Sequence, residues 1–299
     1  MQRAMWHVSI RMNINTKASL SSDLLDEIIK NIDQADRIVI GAGAGLSASA
    51  GLNYNDEGLF KELYPLYARL GYKTISDGIA HHWYLREESA NTYWGFWARH
   101  IYNVYYRTDQ LEAYKDLYDI VKDKHYFVIT TNADGQFFKG GFSKDKIFSM
   151  QGSYGKFQCS KSCHETLYDN KEDIYKMLEY MGKDKTEIRT EDIPRCKECG
   201  ELLCPNLRID HMFVEAENLD NREAYIDFID VDEKIVLLEL GVGYNTPVII
   251  RYPFDELSSK YDNISLIRVN PNLAGQSHKE KGNIYTNFDA HQLIQKIKG

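Results

Sequence analysis

The chain has 299 residues, enough to bury a full core, and its 43% hydrophobic and 27% charged content is that of an ordinary globular protein. A net charge of −8 argues against a nucleic-acid partner, which would want a basic face. No apolar run approaches the ~18 residues of a membrane span, the first 20 residues lack the apolar core of a signal peptide, and five cysteines, an odd number, point to a reducing cytoplasm with thiols free for metal.

Residues 1–21 are polar and without a clear period, and read as a partly ordered N-terminal extension. From Ser22 to Ala35, Leu24, Leu25, Ile28, Ile29 and Ile32 recur on one helical face, with Ser22 as an N-cap and Asp23 and Asp26 in the first turn. Arg37-Ile38-Val39-Ile40 is a β-branched run that predicts a buried strand. It empties into Gly41-Ala42-Gly43-Ala44-Gly45, followed by small residues up to Gly51. Gly43-x-Gly45-x-x-Ala48 fits the dinucleotide fingerprint G-x-G-x-x-G/A just after a strand. Positions without side chains allow a tight turn and let the backbone approach a pyrophosphate, whose charge then meets free N–H groups at a helix start. No second strand carrying a ribose-binding acid follows about 20 residues on, where an ordinary dehydrogenase has one.

Residues 54–118 instead hold three of the four tryptophans and 11 of the 21 tyrosines, and Trp94, Trp97, Ile101 and Tyr105 fall at helical spacing. They read as helical core, part of which would wall a substrate channel. Four more apolar strands follow: Tyr126–Thr130, Lys146–Met150, Ile235–Leu240 and Ile264–Val269. Each ends at a polar or glycine block: Thr131, Asn132 and Asp134; Gln151; Gly241-Val242-Gly243; and Asn270. Ligands bind at the carboxyl ends of strands in open parallel sheets, which makes these blocks candidates for cofactor contact.

Between the third and fourth of the five strands, Cys159-x3-Cys163 and Cys196-x2-Cys199 lie 32 residues apart. Two close thiol pairs suit a structural tetrahedral zinc, which staples a segment too small for its own core. The first pair is one residue looser than usual, so His164 or Cys204 remains open as a substitute ligand. The expected architecture is α/β: a doubly wound parallel Rossmann-like sheet built from residues 22–60, 119–157 and 205–299, with a helical module at 61–118 and a cysteine-rich, zinc-ribbon-like module at 158–204 inserted.

Several ordered blocks resemble the sirtuins. Gly43–Leu52 (GAGLSASAGL) is similar to the sirtuin GAGIS-x-x-AGI, Thr130–Gly135 (TTNADG) resembles TQNIDG, and Gln151-Gly152-Ser153 stands where sirtuins carry His-Gly-Ser, ahead of the paired cysteines. The resemblance runs from about residue 22 to the C-terminus. It implies an NAD site in which Gly41, Ala42, Gly43, Ala44, Gly45, Ser47, Gly51, Thr131, Asn132, Asp134, Gln151, Gly241, Val242, Gly243 and Asn270 contact the cofactor. Asn132 and Gln151 would carry the chemistry at the nicotinamide ribose.

The departures from that family are as informative. Glutamine at position 151 has no titratable group, so it cannot replace the histidine that sirtuins use as a base against the acyl-imidate intermediate. General base catalysis is worth about 100- to 10,000-fold, and efficient deacylation should fail without it. Asn53-Tyr54-Asn55-Asp56 replaces Pro-Asp-Phe-Arg, no Phe-Gly-Glu follows Cys204-Pro205-Asn206, and Gly241-Val242-Gly243 replaces Gly-Thr-Ser. This combination is similar to the macrodomain-linked (class M) sirtuins of bacteria and fungi. The resemblance implies protein mono-ADP-ribosylation, an acceptor such as a lipoylated glycine-cleavage H-like carrier protein, and a macrodomain hydrolase that reverses the mark. Two other readings stay open: a deacylase that borrows another base such as His125, and a non-catalytic NAD or ADP-ribose binding module.

Overall fold

A computed structural model describes residues 20–244, 246–273 and 277–299. The expectation for residues 1–19 lies outside the described residues. Ten strands are present among them: β1 (Arg37–Ala42), β2 (His125–Thr130), β3 (Ile147–Ser149), β4 (Gly152–Cys159), β5 (Tyr168–Asp169), β6 (Leu203–Leu207), β7 (Ile235–Leu240), β8 (Ile264–Val269), β9 (His278–Glu280) and β10 (Asn283–Thr286). Seven form one sheet in the order β3-β2-β1-β7-β8-β10-β9, parallel throughout except for the edge strand β9. The interior strands are buried along almost their whole length, as a parallel sheet covered on both faces requires.

Alternate residues of each strand feed two cores. Ile38, Ile40, Val128, Val236 and Leu238 pack with helices Ser22–Asp33, Glu112–Val121 and Ala290–Lys298. Val39, Phe127, Leu237 and Leu266 pack with helices Leu219–Ile229 and Arg251–Lys260 on the opposite face. This is the doubly wound arrangement. The first helix is capped by the Ser21 hydroxyl, which accepts from the Leu24 N–H, one residue earlier than the sequence suggests.

All five expected strands occur, and five others were not visible in the sequence. β9 and β10 are short, and β9 is fully exposed with charged residues. The remaining three make a small antiparallel sheet, β5-β4-β6, whose central strand carries two glycines and a register shift between Ser153 and Phe157 that hides its alternation. The aromatic helices share one core with this small sheet: Trp94, Trp97 and Ile101 are completely buried together with Phe157, Ile174 and Met177. Helix Ala90–Ile101 comes so close to the loop after helix Lys171–Met181 that a Cβ at Gly95 would lie 1.8 Å from the Thr186 carbonyl oxygen. Tyr105, by contrast, is only partly buried and wedges its ring against Gly135 and Gly155, where added Cβ atoms would sit 2.5 and 2.6 Å from it. Among the described residues no helix is long and apolar enough to cross a membrane.

The four cysteines of the two pairs converge beside the small sheet. Cys159 and Cys199 sulfurs are 3.6 Å apart, as are those of Cys163 and Cys196, and all four lie within 4.8 Å of one another. Tetrahedral zinc–thiolate bonds of ~2.3 Å put sulfurs about 3.8 Å apart, so the set could hold one such ion. Neither open substitute is needed. Cys204 lies in β6, outside the cluster, and His164 approaches it from outside with Nε2 3.2 Å from the Cys196 sulfur and 3.0 Å from the Tyr168 hydroxyl. Elemental analysis of carefully purified protein is expected to find about one zinc per chain. A chelator should expose residues 158–204 to proteolysis before the seven-stranded sheet loosens; protein that is fully folded and zinc-free would contradict this.

Candidate active site

The site is assembled at the carboxyl ends of β1, β2 and β7, three adjacent strands. β1 runs through Gly41 and Ala42, both buried within the strand; Gly41 lies under Phe254 and Ile250, where a Cβ would clash at 2.5 and 2.7 Å. These two positions therefore serve strand packing. The chain then turns at Gly43 into a six-residue helix, Ala44–Ser49. Added Cβ atoms would meet the Gly241 oxygen at 2.9 Å from Gly43 and at 2.6 Å from Gly45. Gly241 itself has φ +61°, and its own Cβ would lie 2.3 Å from the Leu46 nitrogen. The two glycine loops thus close on each other backbone to backbone.

That closeness corrects one expectation. The Gly45 N–H donates to the Gly241 carbonyl at 2.9 Å and the Leu46 N–H to Gly43 at 3.0 Å, so neither is free for an anion. Ala44 is the exposed residue of this first turn. Gly51 (φ +100°) turns the chain out of the helix in open space, and Gly243 is likewise exposed with nothing against it.

Beside this double loop, Thr131 donates its N–H to the Ala42 carbonyl at 3.1 Å and Asn132 donates its own to the Thr130 hydroxyl at 3.0 Å. The Asn132 Nδ2 donates to the Gly43 carbonyl at 3.1 Å and to the Tyr114 hydroxyl at 2.9 Å. Tyr114 and Ser47 hydroxyls are 2.6 Å apart, and Ser47 donates to Asp134 Oδ2 at 2.6 Å. Asp134 also accepts the Gln136 N–H at 3.1 Å. Burial raises the Asp134 carboxyl above its ordinary range, against the pull of those two bonds, and burial likewise pushes the Tyr114 phenol well above its own. Asn132, Ser47 and Asp134 are thereby brought into one network, and Tyr114, which the sequence reading passed over among the many tyrosines, is its centre.

Gln151 follows β3 and is tied by its main chain. Its carbonyl accepts the Arg208 N–H at 3.2 Å, and the adjacent Met150 N–H donates to Thr130 at 2.9 Å. Its side chain makes no hydrogen bond among the described residues. Gly152 (φ +85°) fixes the turn, since a Cβ there would sit 2.1 Å from the Asn206 oxygen. Asn270, expected to touch the cofactor, is buried with its groups already engaged: Nδ2 donates to the Val242 carbonyl at 2.8 Å and Oδ1 accepts the Asn272 N–H at 2.9 Å. It shapes the second loop instead. Arg251 donates to the same Val242 carbonyl at 3.1 Å, and Arg268 makes two 2.7 Å bonds to the completely buried Glu239. These charged residues were missed, although their signal was present: Glu239 and Arg268 are charges inside apolar strands and pair across β7 and β8 in register. His125, the alternative base, stands at the start of β2. At about 3.3 Å per residue it is roughly 16 Å from the carboxyl end of that strand, at the opposite end from the site.

Gly45→Ala is expected to lower the unfolding free energy by about 1–3 kcal/mol, since both contacts are backbone that cannot swing aside. Chemical denaturation checks this; an unchanged midpoint would mean that the loops part without cost.

A sequence profile described as the Sir2 family matches residues 43–241. The chain is 32% identical over 276 residues to a Staphylococcus aureus protein named protein ADP-ribosyltransferase, covering 90% of this chain and 84% of that one. It is 29% identical over 247 residues to a Fusarium oxysporum f. sp. cubense protein named probable bifunctional ADP-ribose hydrolase/ADP-ribosyltransferase, covering 80% of this chain but only 41% of that relative's length. Among solved structures, a Sir2 homologue in complex with NAD superposes with a TM-score of 0.54 at 16% identity, over 94% of each chain, a likeness of fold. By the extent of the profile match and the identity to its relative, the chain belongs to the Sir2 family.

Proposed function

We propose that the chain is an NAD-dependent protein mono-ADP-ribosyltransferase. The observation that carries this reading is the pairing of an intact Asn132–Tyr114–Ser47–Asp134 network with a glutamine, incapable of accepting a proton, at position 151. The names of the Staphylococcus and Fusarium relatives support it. In the reaction the bond from the ribose C1′ to the nicotinamide nitrogen breaks, its electron pair leaving with the nicotinamide, and an acceptor oxygen donates a pair to C1′. An ionised Asp or Glu acceptor at neutral pH is already a competent nucleophile with no proton to lose. Loss of a base therefore costs deacylation much and transfer to a carboxylate little. Asn132 positions the nicotinamide ribose, Gln151 orients ribose hydroxyls or the acceptor, and the exposed glycine positions let the dinucleotide approach the backbone. The four cysteines hold zinc as a structural staple.

Residues at, and just before, the positions where sirtuins keep acyl-lysine machinery have structural work here. Asp56 caps helix Glu57–Leu63 by accepting the Leu59 N–H at 2.7 Å. Asn206 is buried and donates to Gln158 Oε1 and the Val214 carbonyl at 2.8 and 3.0 Å. By resemblance, the acceptor is a lipoylated H-like carrier protein and a macrodomain hydrolase removes the mark.

Incubation with labelled NAD and a host lysate should yield free nicotinamide and a labelled protein. Asn132→Ala should remain folded and lose at least about tenfold in nicotinamide release, as removal of a transition-state hydrogen bond does. Release without any labelled protein, or near-normal turnover by the folded variant, would contradict the assignment. Gln151→His alone is expected to leave peptide deacylation at background. A base is worth about 3–5 kcal/mol, whereas holding an acyl-lysine in line with C1′ contributes about 7–11 kcal/mol that the variant does not restore. Robust formation of O-acetyl-ADP-ribose by this variant would show that the peptide channel survives.

A further inference from the structure

Tyr114 is not among the residues that the resemblance assigns to the site, yet among the described residues its hydroxyl is the one link between Asn132 and Ser47 that is short at both ends, 2.9 Å to the amide nitrogen and 2.6 Å to the serine oxygen. The direct Asn132–Ser47 distance is 3.5 Å. The ring is completely buried, edge-on to Phe137 at 4.9 Å, and rides on helix Glu112–Val121, which packs against the sheet.

Two acceptors, the Gly43 carbonyl at one end and the Asp134 carboxylate at the other, set the direction of the bonds in this chain. The Gly43 carbonyl cannot donate, so the Asn132 atom 3.1 Å from it is the amide nitrogen, which settles the side chain's orientation. The same nitrogen faces the Tyr114 oxygen, so Tyr114 accepts there; with the single Ser47 hydrogen given to Asp134, the hydrogen between Tyr114 and Ser47 is the phenol's. Ser47 in turn donates to Asp134. Both hydrogens of the Asn132 amide are then engaged by the protein. Its Oδ1 accepts no hydrogen bond among the described residues, and Asn132 is partly exposed.

We propose that Tyr114 is a positioning residue for nicotinamide release: it pins the Asn132 amide so that only the oxygen is presented, as an acceptor, to a hydroxyl of the nicotinamide ribose. This role rests on the NAD-dependent reading above. Without the phenol, the amide keeps the Gly43 carbonyl and only the long 3.5 Å contact to Ser47, a much looser hold on its orientation. Misplacement of a positioning group by about 1 Å is worth up to about a hundredfold in rate.

The test is Tyr114→Phe, which removes one oxygen and keeps the buried ring. With full-length protein and NAD, the variant is expected to lose about tenfold to a hundredfold in kcat for nicotinamide release, with KM for NAD within about threefold of wild type and the melting temperature little changed. A ring that only fills space predicts wild-type kcat, and that result would overturn the role. A loss of activity that runs parallel to a collapsed melting temperature would assign the hydroxyl to the fold and overturn it too. Wild-type protein that releases no nicotinamide would instead remove the NAD-dependent reading, and this role with it.

Discussion

The site depends on the contact between two glycine loops. Gly43 and Gly45 after β1 meet Gly241 after β7 with no room for a Cβ on either side, and the Gly45 N–H closes the gap onto the Gly241 carbonyl. β1 and β7 are neighbours in the sheet, and the chain enters them from opposite halves of the sequence, so this is the crevice where the strand order reverses. Behind it, the Val242 carbonyl is held by Arg251 and Asn270. The Glu239–Arg268 pair anchors the next shell, where Arg268 also donates to the Arg251 carbonyl. Two charge-assisted bonds in bidentate geometry offset the cost of burying that carboxylate. The groups that look most like a ligand cradle in the sequence are thus partly consumed in holding the cradle's shape.

The second layer reaches the site through Tyr105. Its ring stands between Gly135, at the end of the Asn132 loop, and Gly155 in β4, and both glycines are required by that proximity. The Tyr154 N–H also donates to the Ala133 carbonyl at 3.0 Å, joining the small sheet to the same loop. Deeper in this layer His100 is completely buried, and burial lowers its imidazole to about 3, so it is a neutral packing group stacked on Phe96. The aromatic helices and the small sheet thus share one core, which includes Cys159 and Cys196 and meets the Asn132 loop through Tyr105 and Tyr154.

Chemistry at position 151 follows from the difference between an amide and an imidazole. The Gln151 carbonyl accepts the Arg208 N–H and the neighbouring Met150 is bonded to Thr130 and Arg208, while the Gln151 side chain makes no hydrogen bond among the described residues. An amide there orients and does not titrate. The network from Asn132 to Asp134 runs through one amide, two hydroxyls and a carboxyl; under the proposed function it supplies geometry at the ribose and leaves nucleophilicity to the acceptor.

The sequence by itself determined five strands of the seven-stranded sheet, the placement of polar blocks at their carboxyl ends and the pairing of the cysteines. Those features are written in local order: β-branched runs such as Arg37–Ile40, glycine after a strand, and thiols two or three residues apart. It also determined what position 151 cannot do, because a missing titratable group needs no structure to be recognised. Only the tertiary structure decided that Asn270 shapes a loop and that Gly45 has a bonded N–H. It alone showed Tyr114 between Asn132 and Ser47, partners 18 and 67 residues away along the chain. Such roles depend on where a side chain's bonds end, and when the partners come from distant elements no local pattern records the meeting.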